Sequence, residues 1–277
     1  MDREALAKRI LKVKNSKVVR LIAYPVVNIS RKFTLNKFKN GADSEYIRSL
    51  KNAFKGQRCF IIGNGPSLTP SDLDKIKNEV SFAANRIYYM FDKTEWRPTF
   101  YMCCDKEAIM MNFSSIVDLP VKTKFIEVTS KKYNKTNDQS IKYVYHYDKF
   151  YLNKWKTSAP FVSEDPSAMM FPGQTVTFSA MQLAIYMGFS KIYLLGVDHN
   201  YATKVDKNGK VTVDPTVQTY FAGMKDANLS VQFVDVTTEA YKAAKEYCDS
   251  HDSVEIFNAT RGGKLEIFDR VNFDDLF

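Results

Sequence analysis

The 277-residue chain is poor in the side chains from which metal centres are built. It has four cysteines, Cys59, Cys103, Cys104 and Cys248, with no CxxC pair, and three histidines, His146, His199 and His251, none at metal-ligand spacing. These counts exclude a CxxC zinc ribbon and a His-rich metal centre, and cysteines inside apolar runs read as small hydrophobes of a reducing compartment. Long hydrophobic runs are also missing. The best, Val18 to Ile29, is broken by Arg20 and Pro25, so nothing reaches the roughly 18 apolar residues a membrane span needs. Arg20 also spoils this run as the apolar region of a signal peptide, and no small-residue cleavage site follows.

Charge of one sign is present but confined. The formal net charge is +9, from 40 basic and 31 acidic residues. Residues 1–58 hold 15 basic and 4 acidic side chains, a net of +11, which leaves 25 basic and 27 acidic, a net of −2, for residues 59–277. Leu6, Ile10, Val13, Val18, Leu21 and Ile22 recur at helical steps between Lys8, Arg9, Lys12, Lys14, Lys17 and Arg20. The spacing predicts a basic amphipathic helix over 3–24. A second cluster, Arg31, Lys32, Lys37 and Lys39, precedes Gly41. Two readings stay open: a solvated helix packed on its own domain, or attraction of residues 1–39 to an anionic membrane surface, at about 1 kcal/mol per basic residue. No nucleic acid partner is expected, because stacking aromatics are not interleaved with these charges.

From residue 58 short apolar runs alternate with helical segments, the pattern of an α/β fold with a mainly parallel sheet and helices on both faces. Strands are predicted over 59–62, 80–84, 99–104, 124–128, 143–146, 191–197 and 254–257. Helices are predicted from about Thr69–Ser71, where a hydroxyl cap and Pro70 coincide, over Thr175–Met187, and over Thr237–Ser250. Residues 147–172 and 202–236 lack a period and read as lid-like insertions. The expected organisation is a basic segment, 1–55, followed by one domain, 56–277.

In such sheets ligands bind at the C-terminal ends of the strands. Four strand ends carry polar tips: Gly63-Asn64-Gly65-Pro66-Ser67, Asn85, Asp105 and Asp198-His199-Asn200. Gly63 and Gly65 either let a phosphate approach the backbone and the next helix N-terminus or only shape a tight turn. A Walker loop is excluded by the missing Lys and Ser/Thr, and the third glycine of the dinucleotide fingerprint is absent. Asn85 can read a base or ribose through its amide, or simply close a turn. Asp105 and Asp198 can hold a divalent metal, orient a sugar hydroxyl, or cap the following segments. His199 is the candidate general base, with an ordinary pKa of about 6.5. His146 and His251 read as packing or surface residues.

Taken together, Gly63-Asn64-Gly65-Pro66-Ser67-Leu68, Asn85 and the run from Gly173-Gln174-Thr175 to Gly196-Val197-Asp198 resemble the bacterial sialyltransferases that use CMP-sialic acid. They resemble more closely the wider superfamily of motility-accessory-factor flagellin glycosyltransferases and archaeal 6-hydroxymethylpterin pyrophosphokinases. Asn258 to Leu265 is similar to the end of that superfamily's domain, and the resemblance spans about residues 56–277. It implies a Rossmann-like domain in which the Gly63 turn and Asn85 hold a nucleotide, while Gln174, Thr175 and the Asp198 loop face the donor. Tyr201 would supply a hydroxyl to the phosphate. The sialyltransferases need no metal and use a histidine base after the lid. The matching stretch here, Leu229 to Asp235, has none, which leaves His199, Asp198 or Asp235 to substitute. The pterin kinases need Mg²⁺, for which Asp105 and Asp198 would be the ligands.

The leading expectation is a cytoplasmic glycosyltransferase, peripheral on the inner membrane face, with a CMP-activated acidic sugar as donor. Its acceptor would be a surface glycan or a lipid-linked glycan. The alternative is a Mg²⁺-dependent pyrophosphokinase of the 6-hydroxymethylpterin type, and the third reading is a non-catalytic scaffold. Oligomeric state, a homo-oligomer included, stays open.

Overall fold

The computed structural model of the chain describes residues 29–147, 161–206, 210–222, 224 and 232–277. Its centre is an eight-stranded sheet in the order β10-β9-β6-β1-β2-β3-β4-β5, with every neighbouring pair parallel. The strands are β1 (Arg58–Ile62), β2 (Ser81–Ala84), β3 (Phe100–Cys103), β4 (Thr123–Glu127), β5 (Ile141–Val144), β6 (Lys191–Leu195), β9 (Glu255–Asn258) and β10 (Asp269–Arg270). β7 (Thr203–Val205) and β8 (Val211–Val213) form a separate antiparallel hairpin. From β1 the chain steps outward to β5, then returns to the other side of β1 as β6. The strand order therefore reverses between β1 and β6, and their C-terminal ends flank the crevice where such sheets bind ligands.

The central strands are apolar on both faces because both faces are covered. Cys59 and Ile61 of β1 point into one core with Phe82, Phe100 and Phe125. That core is roofed by α1 (Ala42–Ser49), α4 (Val176–Tyr186) and α5 (Val234–Asp249) through Ile47, Phe178, Met181, Leu183, Ala240 and Tyr241. Phe60 and Ile62 point into the other core with Tyr101 and Ile126. Leu73 of α2 (Pro70–Lys75), Ile109 and Ile116 of α3 (Lys106–Val117), and Ile87 and Phe273 of two 3₁₀ helices close that face. The expected α/β sheet with helices on both faces is thus present, and the fold is Rossmann-like.

Several boundaries differ from expectation: β5 lies two residues earlier, at 141–144 in place of 143–146, and β6 ends at Leu195 in place of Val197. The domain does not begin at residue 56: Phe38 and Ile47 are buried in the first core, the Ser44 hydroxyl donates to the Ser167 carbonyl at 2.6 Å, and Asp43 accepts from the Tyr143 amide at 3.2 Å. Basic neighbours hid these few inward-facing residues. α5 begins at Val234, three residues before Thr237. Of the first lid, residues 161–172 are tied down, since the Gln182 side chain accepts from the Ser163 and Phe171 amides and donates to the Phe171 carbonyl. The helix expected over 3–24 and lid residues 148–160 lie outside the described residues.

Candidate functional site

The crevice starts with two backbones in contact. The amides of Gly63 and Gly65 donate to the carbonyls of Leu195 and Gly196, each at 2.8 Å. A Cβ on Gly63 would stand 2.2 Å from the Gly196 oxygen, and one on Gly65 would stand 1.8 Å from Asp198 Oδ2. The glycines are thus required first by packing between the ends of β1 and β6. Asp198 fastens the same junction: its Oδ2 accepts from the Ser67 hydroxyl at 2.7 Å and its carbonyl accepts from the Lys264 amide at 2.7 Å. Burial pushes its carboxyl above the usual carboxylate range, against the pull of the Ser67 hydrogen bonds.

The helix that follows does not offer its N-terminus to a phosphate. Thr69 accepts from the Asp72 amide and Asp72 accepts from the Thr69 amide, a reciprocal cap. The Asp72 carboxylate also meets Arg261. An anion placed there would face a carboxylate, so the expectation for the Gly63–Ser67 loop is corrected on this point.

The binding space lies beside that junction. A cavity of about 90 Å³ is bounded by the ends of β1, β2 and β6, by Thr175, Val176 and Thr177 at the start of α4, and by Tyr201, Thr219, Tyr220, Gln232 and Tyr241. Four of its lining residues carry a buried polar atom with no hydrogen-bond partner: Asn64 Oδ1, Asn85 Oδ1, Asn200 Oδ1 and His199 Nδ1. Buried polar groups are normally satisfied, so four orphans around one cavity point to a missing ligand. Among the described residues no Lys or Arg lines this wall. Asn64 Nδ2 donates to the Ala84 carbonyl at 3.0 Å, which fixes its amide with the oxygen unpaired. Backbone strain gathers here too: Asn85 and His199 lie in the left-handed region at φ 54° and 51°, and Gln174, just before the α4 cap Thr175, lies at 56°.

His199 Nε2 is 2.9 Å from the Thr238 hydroxyl, and that hydroxyl donates to the Val234 carbonyl at 2.7 Å. The Thr238 hydroxyl thus stands between the Val234 carbonyl and His199 Nε2, while Nδ1 has no hydrogen-bond partner. The ring meets Tyr201 and Tyr241 edge-on, with centroids 5.6 and 5.4 Å apart. Burial, aided by the charge of Lys204, pushes its pKa down to about 4, which keeps it neutral around pH 7. The Tyr201 hydroxyl is raised by burial and stays protonated.

The remaining candidates disperse. Asp105 is exposed, caps α3 by accepting from the Ala108 amide at 3.0 Å, and does not line the cavity. Asp235 is exposed in the first turn of α5, outside the lining. Pro66 lies off the wall. Asp105 and Asp198 therefore do not make the paired carboxylates of a Mg²⁺ site, and no group of three or more potential ligands is found among the described residues. A larger cavity, about 410 Å³, opens against β5 between Lys37, Lys131, Asn134 and Tyr143. None of the strand-end tips reaches it; those of β1, β2 and β6 line the smaller cavity.

A family model described as 6-hydroxymethylpterin diphosphokinase MptE-like matches residues 32–204, well over half of the chain. The chain belongs to this MptE-like family. A search of curated proteins gave no match to the MptE-like chain. Among solved structures it is similar to the MAf glycosyltransferase from Magnetospirillum magneticum AMB-1, at 15% identity and a TM-score of 0.49, over 88% of this chain and 39% of that one. The MptE-like chain therefore matches well under half of that protein's length. It is also similar to the sialyltransferase CstII from Campylobacter jejuni in complex with the substrate analogue CMP-3FNeuAc, at 16% identity and a TM-score of 0.43, over 78% of this chain and 86% of that one.

Sequence reasoning missed Thr219, Tyr220, Gln232, Thr238 and Tyr241. The first three sit in the aperiodic stretch after β6, where nothing in the local pattern marks them. Thr238 and Tyr241 lie in an ordinary amphipathic helix, and only its packing against α4, β9 and β7 turns them toward His199.

Proposed function

We propose that the MptE-like chain is a glycosyltransferase that takes a CMP-activated acidic sugar, sialic-acid-like or Kdo-like, and passes it to a hydroxyl of a bacterial surface or lipid-linked glycan. One observation carries this reading: four partnerless acceptor atoms converge on a cavity that, among the described residues, has no Lys or Arg on its wall. Acceptors call for a ligand rich in donors, which ribose, sugar hydroxyls and an exocyclic amine supply. A single phosphodiester needs little neutralisation. The hydroxyls of Tyr201, Tyr220 and Tyr241 and the first turn of α4 can hold it. In the reaction the acceptor oxygen forms a bond to the anomeric carbon as its proton passes to His199 Nδ1. The bond from that carbon to the CMP phosphate breaks, and its electron pair leaves with CMP. Asp198, pinned by Ser67, shapes the loop; Asp235 is not on the cavity wall. The proposal includes docking of residues 1–39 to an anionic membrane at the cytoplasmic face.

The test is calorimetry with CMP, CDP, UDP and ATP with Mg²⁺. Cytidine nucleotides are expected to bind, and Asn85→Ala should weaken CMP by about tenfold or more, ~1.4 kcal/mol. Absence of CMP binding, or an Asn85→Ala variant that binds as the wild type does, overturns the reading.

The description of the matched family favours a second reading, diphosphate transfer from ATP to a pterin-like alcohol. Phosphoryl transfer relies on metal ions and cationic side chains around the phosphates, and among the described residues the cavity wall has Asp198 as its one carboxylate and no Lys or Arg. ATP and Mg²⁺ binding without cytidine preference would select it.

A further inference from the structure

We propose that Thr238 is a positioning residue that sets the tautomer of His199 and thereby decides which ring nitrogen is free to take a proton. This rests on the glycosyl-transfer reading for its catalytic consequence, not for its geometry. The Thr238 hydroxyl has one proton, and the i−4 carbonyl of Val234 takes it at 2.7 Å. Its lone pair then faces His199 Nε2 at 2.9 Å and can only accept. The neutral ring has one proton to give, so it resides on Nε2, and Nδ1, buried and without a partner, is left as a base.

The arrangement spans two elements. His199 hangs on a left-handed residue just past β6, and Thr238 stands in the second turn of α5. The edge contacts with Tyr201 and Tyr241 brace the ring plane. When Nδ1 accepts the proton of the acceptor hydroxyl, the Nε2–H to Thr238 bond becomes charge-assisted and strengthens, which favours the protonated ring in the transition state. The imidazolium returns its proton to solvent after CMP leaves. Without the hydroxyl, a buried Nε2–H has no acceptor. The proton then moves to Nδ1, the atom that must receive one.

Long-range ¹H–¹⁵N correlation spectra of the full chain without ligand report the tautomer directly. Wild type and Thr238→Ser are expected to show His199 protonated at Nε2 around neutral pH, and Thr238→Val to shift it toward Nδ1–H. Thr238→Ala removes the hydroxyl with less bulk if the valine variant does not fold. Transfer assays with a CMP-sugar should show kcat reduced roughly 10- to 100-fold in Thr238→Val, the donor KM unchanged, and recovery in Thr238→Ser. The proposal is overturned if Thr238→Val and Thr238→Ala keep the Nε2–H tautomer, or if Thr238→Ser loses as much as Thr238→Val. A tautomer shift in a protein that transfers no sugar would sink the donor reading and leave this one standing.

Discussion

Two histidines sit in the fold as neutral rings, and this has a measurable cost in acid. His146 is 9% exposed, bonded to the Ser179 hydroxyl at 2.9 Å, and burial pushes it down to about 4; His199 is lowered to about 4 as well. In the unfolded chain both return to about 6.5. Between those values the unfolded state binds protons that the folded state refuses. Stability therefore falls as pH drops from about 6.5 towards 4, and the loss is complete below about 4. At ~1.4 kcal/mol per pKa unit each ring amounts to roughly 3 kcal/mol. Urea midpoints should decline through this window in the wild type and less steeply in His146→Asn. Parallel declines in the two proteins would refute a role for His146. His146 reads from sequence as a packing or surface residue, and it is buried; nothing in its neighbours announces that it lies under α4 against Ser179.

Elements were legible where one local rule dominates. β1 and β6 stand out because central parallel strands are continuous apolar runs, and α4 because it is apolar all round. α3 was not expected. Met110 and Met111 are exposed at 55% and 68%, and Asn112 departs from helical geometry, so the apolar period of Ile109 and Ile116 is blurred. The residue that starts α3, Asp105, was then free to look like a metal or sugar ligand. Its observed bond to the Ala108 amide makes it a helix cap. Asp105→Ala should cost about 1 kcal/mol of stability and leave nucleotide affinity unchanged, as thermal unfolding and calorimetry would record. A variant of wild-type stability that loses nucleotide binding would instead make Asp105 part of the site. The glycine turn carried the opposite ambiguity: Gly63 and Gly65 lie at the crevice where strand order reverses, but the contact that demands them is with Gly196 and Asp198, more than 130 residues along the chain.

On the scale of the molecule, charge and site are segregated. Residues 59–277 carry a net −2 and hold the cavity, whereas residues 1–58 carry +11. Among the described residues no helix is long and apolar enough to cross a membrane. In the helical stretch 29–39, Ile29 and Phe33 are 69% and 72% exposed beside Arg31 and Lys32, while Phe38 turns inward to stack on Tyr145. Apolar and cationic side chains on one exposed helix suit an anionic interface. Basic residues near such a surface contribute about 1 kcal/mol each, and about 1 M salt, with a Debye length of about 3 Å, removes most of that attraction. The full chain should float with phosphatidylserine-containing vesicles, sediment away from pure phosphatidylcholine vesicles, and release in high salt. Phe33→Glu should weaken flotation without altering CMP affinity, since Phe33 is not on the cavity wall. Equal recovery on neutral and anionic vesicles would show that the +11 segment serves something other than a membrane.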